Sequence, residues 1–214
     1  MPVPVIEIVD PVDGGVALKA GLGSLRPDDW VVITSPNGAA RVAAAVAEVT
    51  LADGVNIAVV GPGTKVQAES LGLRVDLVPD DAIAEGLVAA FPPRPVDGGR
   101  VLLARAEVAR EMLPHQLRMA GWQVDEVVAY RTRTVAIDDA ARRMVAGADA
   151  VVFTSGSTVE GLVDGVGTEG LPPVVASIGP ATTAVAARRG VCVDVEAADH
   201  TIPGVVAALV GYLR

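Results

Sequence analysis

The chain has 214 residues, which is enough for one large domain or for two domains of about a hundred residues, each with its own core. Apolar residues make up 51% of the chain and aromatic residues 3%, a composition that favours an α/β protein with helices and parallel strands packed in layers. The net charge of −9 argues against nucleic-acid binding, because the 17 Lys and Arg residues form no basic run. We find no signal-peptide pattern and no apolar stretch that approaches a membrane span, so we expect a cytoplasmic protein without membrane contact.

The chain contains only one cysteine and two histidines, so it has few of the side chains that bind transition metals. Cys192 is the single cysteine, and we predict that it is a buried residue of a strand and not a catalytic thiol. We expect His115 at the start of a helix and His200 in a turn, and with no further Cys or His cluster we predict no metal site. A GPGT loop resembles a phosphate cradle, but the GxxxxGK[ST] pattern is absent, which argues against nucleotide binding. We predict that the protein needs no cofactor.

Between residues 30 and 91, apolar runs alternate with turn residues and with Ala-rich helical stretches. The first strand leads through SPNGA into a helix, and the second leads through GPGT into a helix that ends at Gly72. We predict strands at 30–34, 56–60 and 73–78, with helices at 40–49, up to 72, and at 81–91.

The same order returns from residue 148 onward and indicates an internal duplication. Thr34 and Ser35 correspond to Thr154 and Ser155, 120 residues later, and Gly61 corresponds to Gly179, 118 residues later. A closing helix is predicted at 201–213. Strands that alternate with helices at this spacing predict two doubly wound parallel sheets.

Residues 100–127 add one strand, one loop and one helix to the first unit, and nothing after the second unit corresponds to them. If the two units are equivalent, the second unit lacks its own strand and helix, which would lie before residue 1. Two extended segments, 4–8 and 127–134, are predicted to form an antiparallel pair of linker strands between the domains; the alternative is that they are ordinary edge strands of one sheet. The predicted organisation is a linker strand at 1–11, an α/β domain at 12–126, a second linker strand at 127–135 and an incomplete α/β domain at 136–214.

This pattern resembles the uroporphyrinogen-III synthase family. The resemblance rests on WVVITSPNGA, VVGPGT with LGLRVDLVP, LLARAEVAREMLPHQLRMAGWQVDEVVAYRT, ADAVVFTSGSTV and VVASIGPATTAVAARRGV, which follow one another in the family's order. It implies two flavodoxin-like domains. The family usually carries a strand, a short Thr-Arg-Pro type loop and a helix before the segment that matches PVIEI, and this agrees with the gap that the repeat predicts. We favour the interpretation that the protein starts upstream of residue 1 over the alternative that the incomplete domain is stabilised in some other way.

The resemblance implies an activity. Members of the family convert hydroxymethylbilane, a linear tetrapyrrole with eight carboxylate side chains, into uroporphyrinogen III by loss of water and inversion of the last pyrrole ring. It also implies a monomer. Two alternatives remain: a non-catalytic two-domain protein that binds a small molecule, and an inactive remnant of the synthase.

The loops after the strands offer groups that suit this substrate. Backbone N–H groups at helix N-termini bind anions without needing a net positive charge, and Arg105 and Lys65 would add charge-assisted pairs. Ser35, Thr64, Ser155 and Thr182 have a simpler alternative role as caps of the helices that follow them. The predicted substrate-binding residues are Thr34, Ser35, Asn37, Gly38, Gly61, Gly63, Thr64, Arg105, Thr154, Ser155, Gly156, Ser157, Gly179 and Thr182.

Tyr130 is the candidate catalytic residue, by analogy with the family's tyrosine in the same VxxYxT setting. It would donate the proton that helps the hydroxyl group of ring A to leave. The alternative is an edge-strand aromatic residue that shields the hinge. We interpret Glu107 and Glu111 as a solvated helix face.

Overall fold

The computed structural model describes residues 1–96 and 98–214 and has a mixed α/β fold in which the strands pair mainly in parallel. The strands are β1 (Ile6–Val9), β2 (Trp30–Ile33), β3 (Asn56–Val59), β4 (Arg100–Ala106), β5 (Gln123–Thr134), β6 (Ala150–Phe153), β7 (Val174–Ser177) and β8 (Val195–Glu196). The helices are α1 (Val16–Gly23), α2 (Pro36–Val46), α3 (Pro62–Ser70), α4 (Ala84–Ala90), α5 (Met112–Met119), α6 (Asp139–Ala146), α7 (Gly156–Val166), α8 (Pro180–Arg188) and α9 (Ile202–Tyr212).

The strands form two sheets. The five-stranded sheet has the order β1-β5-β4-β2-β3, and β2, β3, β4 and β5 pair in parallel within it. The three-stranded sheet has the order β6-β7-β8 and is parallel throughout. In a parallel sheet the carboxyl ends of the strands share one edge, so the loops that follow β2, β3 and β4 lie at the same edge.

Strand β2 shows how the sequence produces the layers. Its apolar run has helices on both faces of the sheet, as expected for a buried parallel strand. Val31 and Ile33 pack into one cluster with residues of α1, α2 and α3, whereas Val32 faces the opposite side with Leu87 of α4 and Leu117 of α5. All three of these β2 side chains are fully buried.

The chain divides into two compact units. Unit 1 contains Met1–Glu7 and Thr132–Arg214, and unit 2 contains Ile8–Arg131. The boundary therefore falls within β1 and within β5. In unit 1 the two segments on either side of the division touch, since the Val135 amide donates to the Val5 carbonyl and Arg133 pairs with Glu7 at 2.5 Å. The predicted domain boundaries at 11, 126 and 135 stay predictions.

Strand β6 lies at an edge of its sheet, unlike its repeat counterpart β2, which has β3 on one side and β4 on the other. Val151 and Val152 are only partly buried, whereas the corresponding Val31 and Val32 are fully buried. A pocket of about 480 Å³ runs along β6 and is lined by all four of its residues together with Met1, Pro2 and Val3. Strand β6 of unit 1 therefore has one parallel neighbour, β7, where β2 of unit 2 has two.

Two of the predicted strands differ in the structure. The segment 127–134 is not a separate strand: it is the second part of β5, and Val127, Val128 and Tyr130 pair with β4. Strand β5 lies between β1 and β4 and is therefore not an edge strand, and the linker role of 127–134 stays a prediction. The predicted strand at 73–78 is reduced to a single bridge between Leu77 and Ala58.

The prediction for Cys192 was wrong, because this residue is exposed and precedes β8, which spans two residues. His115 lies within α5, which begins three residues earlier than the predicted helix start. Helices α1 and α6 were not predicted at all. In the described part of the chain, no helix is long and apolar enough to cross a membrane.

Candidate functional site

The loop after β2 brings two predicted site residues together. Ser35 is the N-cap of α2, and its hydroxyl oxygen accepts a hydrogen bond from the Gly38 amide at 3.1 Å. The same oxygen lies 2.9 Å from the phenol oxygen of Tyr130 on β5, and either group can donate. Tyr130 is 7% exposed and belongs to the large core cluster of unit 2. Thr34 is half-buried beside this pair, while Asn37 is exposed on the first turn of α2.

The loop after β3 forms a second helix N-terminus at the same edge of the sheet. Gly61 is the N-cap of α3, and its carbonyl accepts hydrogen bonds from the Thr64 and Lys65 amides. Thr64 is buried, whereas Gly63 faces open space. Lys65 lies 3.8 Å from Glu69 one turn along the helix, and its side chain is partly exposed. Because Pro62 has no N–H group and the Thr64 and Lys65 amides are bonded to Gly61, the N-terminus of α3 offers an anion the Gly63 amide and the positive end of the helix dipole.

Arg105 on β4 is already bound to partners of the protein itself. Its guanidinium is 8% exposed, pairs with Glu126, and donates to Glu111 and to the Ala109 carbonyl at 2.7 Å each. Glu126 also pairs with Arg118 at 2.7 Å. Arg105 therefore anchors the loop after β4, and a substrate carboxylate would reach it only by replacing Glu111.

Glu107 and Glu111 do not form a helix face, because α5 begins after both of them. Glu111 is the N-cap residue of α5, and its exposed side chain holds Arg105. The hydrogen bond from Arg105, together with its positive charge, lowers the pKa of Glu111. The expectation of a helix face is thus wrong, although Glu107 and Glu111 are both exposed and Glu111 is also paired.

In unit 1, the loop after β6 forms a capping box. Ser155 is the N-cap of α7 and accepts a hydrogen bond from the Thr158 amide at 3.3 Å, while the Thr158 hydroxyl accepts from the Ser155 amide. The Ser155 hydroxyl also lies 3.0 Å from that of Ser157. Thr154 is exposed just before the cap.

Two glycines of unit 1 allow close packing. A Cβ atom at Gly156 would lie 2.5 Å from a methyl group of Val185 on α8, so this glycine lets α7 and α8 approach each other. A Cβ atom at Gly179, the N-cap of α8, would lie 2.8 Å from the ring of His200. Thr182 in the first turn of α8 is buried.

The sequence did not indicate which side chains lie beside the N-terminus of α8. His200 lies against Gly179, and the Thr183 hydroxyl hydrogen-bonds to Ser177 at 2.6 Å and to Glu196. Ser177 is fully buried at the end of β7. The TTA sequence after Gly179 signals only a helix start, and the contact with Glu196 depends on the pairing of β7 with β8.

The predicted residues therefore gather within each unit at the carboxyl edge of its sheet, at α2 and α3 in unit 2 and at α7 and α8 in unit 1. Among the described residues no group of three or more His, Cys, Asp or Glu side chains is placed to hold a metal ion.

A family model described as uroporphyrinogen-III synthase HemD matches residues 1–207. A relative from Methanothermobacter thermautotrophicus, which carries a provisional form of the same name, is 38% identical over 165 residues; the match covers 72% of this chain and 65% of that protein. The uroporphyrinogen-III synthase of Synechococcus elongatus is 30% identical over 230 aligned positions, covering 99% of this chain and 85% of that protein. This chain thus spans slightly less than two thirds of the first relative's length.

Solved structures show the same fold. A mutant uroporphyrinogen III synthase from Thermus thermophilus superposes with a TM-score of 0.68 at 19% identity, covering 100% of this chain and 88% of that one. The uroporphyrinogen-III synthetase of Helicobacter pylori gives a TM-score of 0.64 at 14% identity, covering 98% and 91%.

Proposed function

We propose, because this chain belongs to the uroporphyrinogen-III synthase family, that it converts hydroxymethylbilane into uroporphyrinogen III. One observation in the structure carries the proposal: the phenol of Tyr130 is hydrogen-bonded to Ser35 at the N-terminus of α2, at the carboxyl edge of the sheet. Ligands of open α/β sheets bind at this edge, so a proton donor lies where the substrate is expected.

The substrate is held mainly by backbone amides. Hydroxymethylbilane carries eight carboxylates, and the N-termini of α2, α3, α7 and α8 each present the positive end of a helix dipole, although α2, α3 and α8 begin with a proline that has no N–H group. This mode of binding is compatible with a protein of net charge −9. The proposed contacts are the Ser, Thr, Asn and Gly residues of the four loops named above. Arg105 is the least available of the proposed contacts, because its guanidinium is already paired with Glu126 and Glu111.

Tyr130 is proposed as the acid of the first step. Its phenol proton passes to the hydroxymethyl oxygen on ring A, the C–O bond breaks, and water leaves an electrophilic azafulvenium cation behind. Ring D attacks this cation through its substituted carbon to form a spiro intermediate; the bond from that carbon to the neighbouring bridge carbon breaks, and the bridge carbon bonds to the free position of ring D, which inverts the ring. The proton that ring D finally loses returns to the Tyr130 phenolate, so the enzyme ends in its starting state. The shape of the bound substrate selects the substituted carbon over the free position.

The finer architecture is part of the same proposal. We take the two compact units as two flavodoxin-like domains joined by an antiparallel pair of linker strands, and the protein as a monomer. The contacts of Val135 with Val5 and of Arg133 with Glu7 support the antiparallel direction, because one partner number rises as the other falls.

The activity is tested by incubating the protein with freshly prepared hydroxymethylbilane. This substrate closes spontaneously to uroporphyrinogen I, so the expected result is uroporphyrinogen III above that background. The two isomers are separated by chromatography after oxidation. Tyr130→Phe keeps the ring and the Ser35 cap but removes the acid, and we expect kcat to fall about 100-fold, at the lower end of the contribution of a positioned acid. If the folded wild-type chain yields isomer I alone, the proposal is wrong. Tight binding of the substrate without turnover would then favour a non-catalytic binding protein.

A further inference from the structure

The hydroxyl of Ser35 has two partners that make different demands on it. The Gly38 amide can only donate to it, whereas the Tyr130 phenol can either donate or accept. A serine hydroxyl has one proton and two lone pairs, so Ser35 can accept from Gly38 and donate to Tyr130 at the same time. In this arrangement the proton of Tyr130 is free to point at another acceptor.

The surroundings of Tyr130 favour this arrangement. The phenol ring is buried among the apolar residues of unit 2, which fixes the ring in place. The direction of the O–H bond can still change by rotation about the C–O bond. If Tyr130 gives up its proton, the oxygen becomes negative and keeps the hydrogen bond from Ser35, which is then charge-assisted. The nearby N-terminus of α2 stabilises the same negative charge.

Capping alone does not account for the contact with the tyrosine. Ser155 is the repeat counterpart of Ser35 and caps α7 in the same way, but the partner of its hydroxyl is Ser157. Thr201 caps α9 by accepting from the Gly204 amide at 3.1 Å, the same distance as in the Ser35 cap, and its other partner is Asp199. Of these three hydroxyl caps, Ser35 is the one that touches a phenol.

We infer that Ser35 is a positioning residue for the reaction, and that it acts through Tyr130. It orients the phenol proton toward the substrate and stabilises the phenolate that forms when the proton leaves. The inference rests on the proposed function, and for Ser35 it replaces the proposed direct contact with a substrate carboxylate.

The test compares Ser35→Ala with a matched cap variant, Thr201→Ala, in the full-length protein. Both lose one cap bond of the same length to a backbone amide, so both should lose a similar part of their stability. We expect Ser35→Ala to lower kcat for isomer III about tenfold with little change in KM, the effect of one lost transition-state hydrogen bond. Thr201→Ala keeps the wild-type kcat, and Ser35→Thr restores most of it because the hydroxyl returns.

The second part of the test uses the Tyr130→Phe variant. In this background Ser35→Ala should lower kcat no further, because the group through which it acts is gone. Three results would overturn the inference: an equal fall in kcat for both cap variants, a rise in KM alone for Ser35→Ala, or a full further loss in the Tyr130→Phe background. A wild-type chain that makes no isomer III overturns the proposed function and this inference with it, whereas a normal wild-type rate with any of the three results overturns the inference alone.

Discussion

Substituting Gly156 by Ala separates two roles that this residue can have, packing and contact with a ligand. The added Cβ atom would lie 2.5 Å from one methyl carbon of Val185 and 3.2 Å from its Cβ atom, where ordinary contact needs roughly 3.5–4.0 Å. Val185 is β-branched, so its side chain cannot easily rotate away within α8. We therefore expect α7 and α8 to be pushed apart.

The size of the effect follows from two opposing terms. Overpacking in a formed core costs about 1–3 kcal/mol, and replacing Gly by Ala in a helix recovers at most about 1 kcal/mol. With the full recovery, the net loss in unfolding free energy is then about 0–2 kcal/mol. Gly63→Ala is the control, because it lies in the first turn of α3 with no atom within 4 Å of the added Cβ, and its unfolding free energy should not fall.

Denaturant unfolding of the wild-type and variant proteins measures the difference, with a signal from each unit in case the units unfold separately, because Gly156 lies in unit 1 and Gly63 in unit 2. The double variant Gly156→Ala, Val185→Ala removes the obstructing methyl groups, so its loss should be smaller than the two single losses added together. A Gly156→Ala protein as stable as Gly63→Ala, or losses at 156 and 185 that simply add, would refute the expected clash between α7 and α8.

Three further outcomes are expected. Glu111→Gln should lower the unfolding free energy at neutral pH. Because Arg105 lowers the pKa of Glu111, the wild-type advantage in unfolding free energy is present above the ordinary carboxyl pKa and is lost as pH falls through the lowered pKa. Urea unfolding of both proteins at several pH values measures this difference. An advantage that grows in acid would contradict the pairing. Cys192 should react with a thiol reagent in the native protein, with Cys192→Ser as the blank, and protection until unfolding would contradict its exposure. Gly179→Ala should cost less than Gly156→Ala, since the ring of His200 can move aside; an equal loss in unfolding free energy would show that the ring is fixed.

The sequence was most informative where structure depends on near neighbours. Ser35 and Ser155 were assigned to loops that precede helices, and both are N-caps because a Ser before a helical run is a local signal. The buried run of β2 was visible for the same reason. Helix α1 was missed because its N-cap position is Gly15, while the capping side chain is Asp13, two residues earlier.

Contacts between distant segments could not be predicted. Arg105 was expected to be available to a ligand, but it meets Glu126 because β4 and β5 pair in parallel, and no local pattern reveals that register. The contact of Ser35 with Tyr130 joins residues 95 positions apart. Cys192 was assigned to a strand because alternating valines suggest one, yet the strand that forms begins only at Val195.

The edge position of β6 affects how the protein behaves at high concentration. Its four residues, Ala150–Phe153, include no charge and no proline, the features that usually keep an edge strand from pairing with another molecule. An unprotected apolar edge is a template for intermolecular sheet growth, and its effect rises with concentration. Association through this edge is therefore expected to rise with protein concentration.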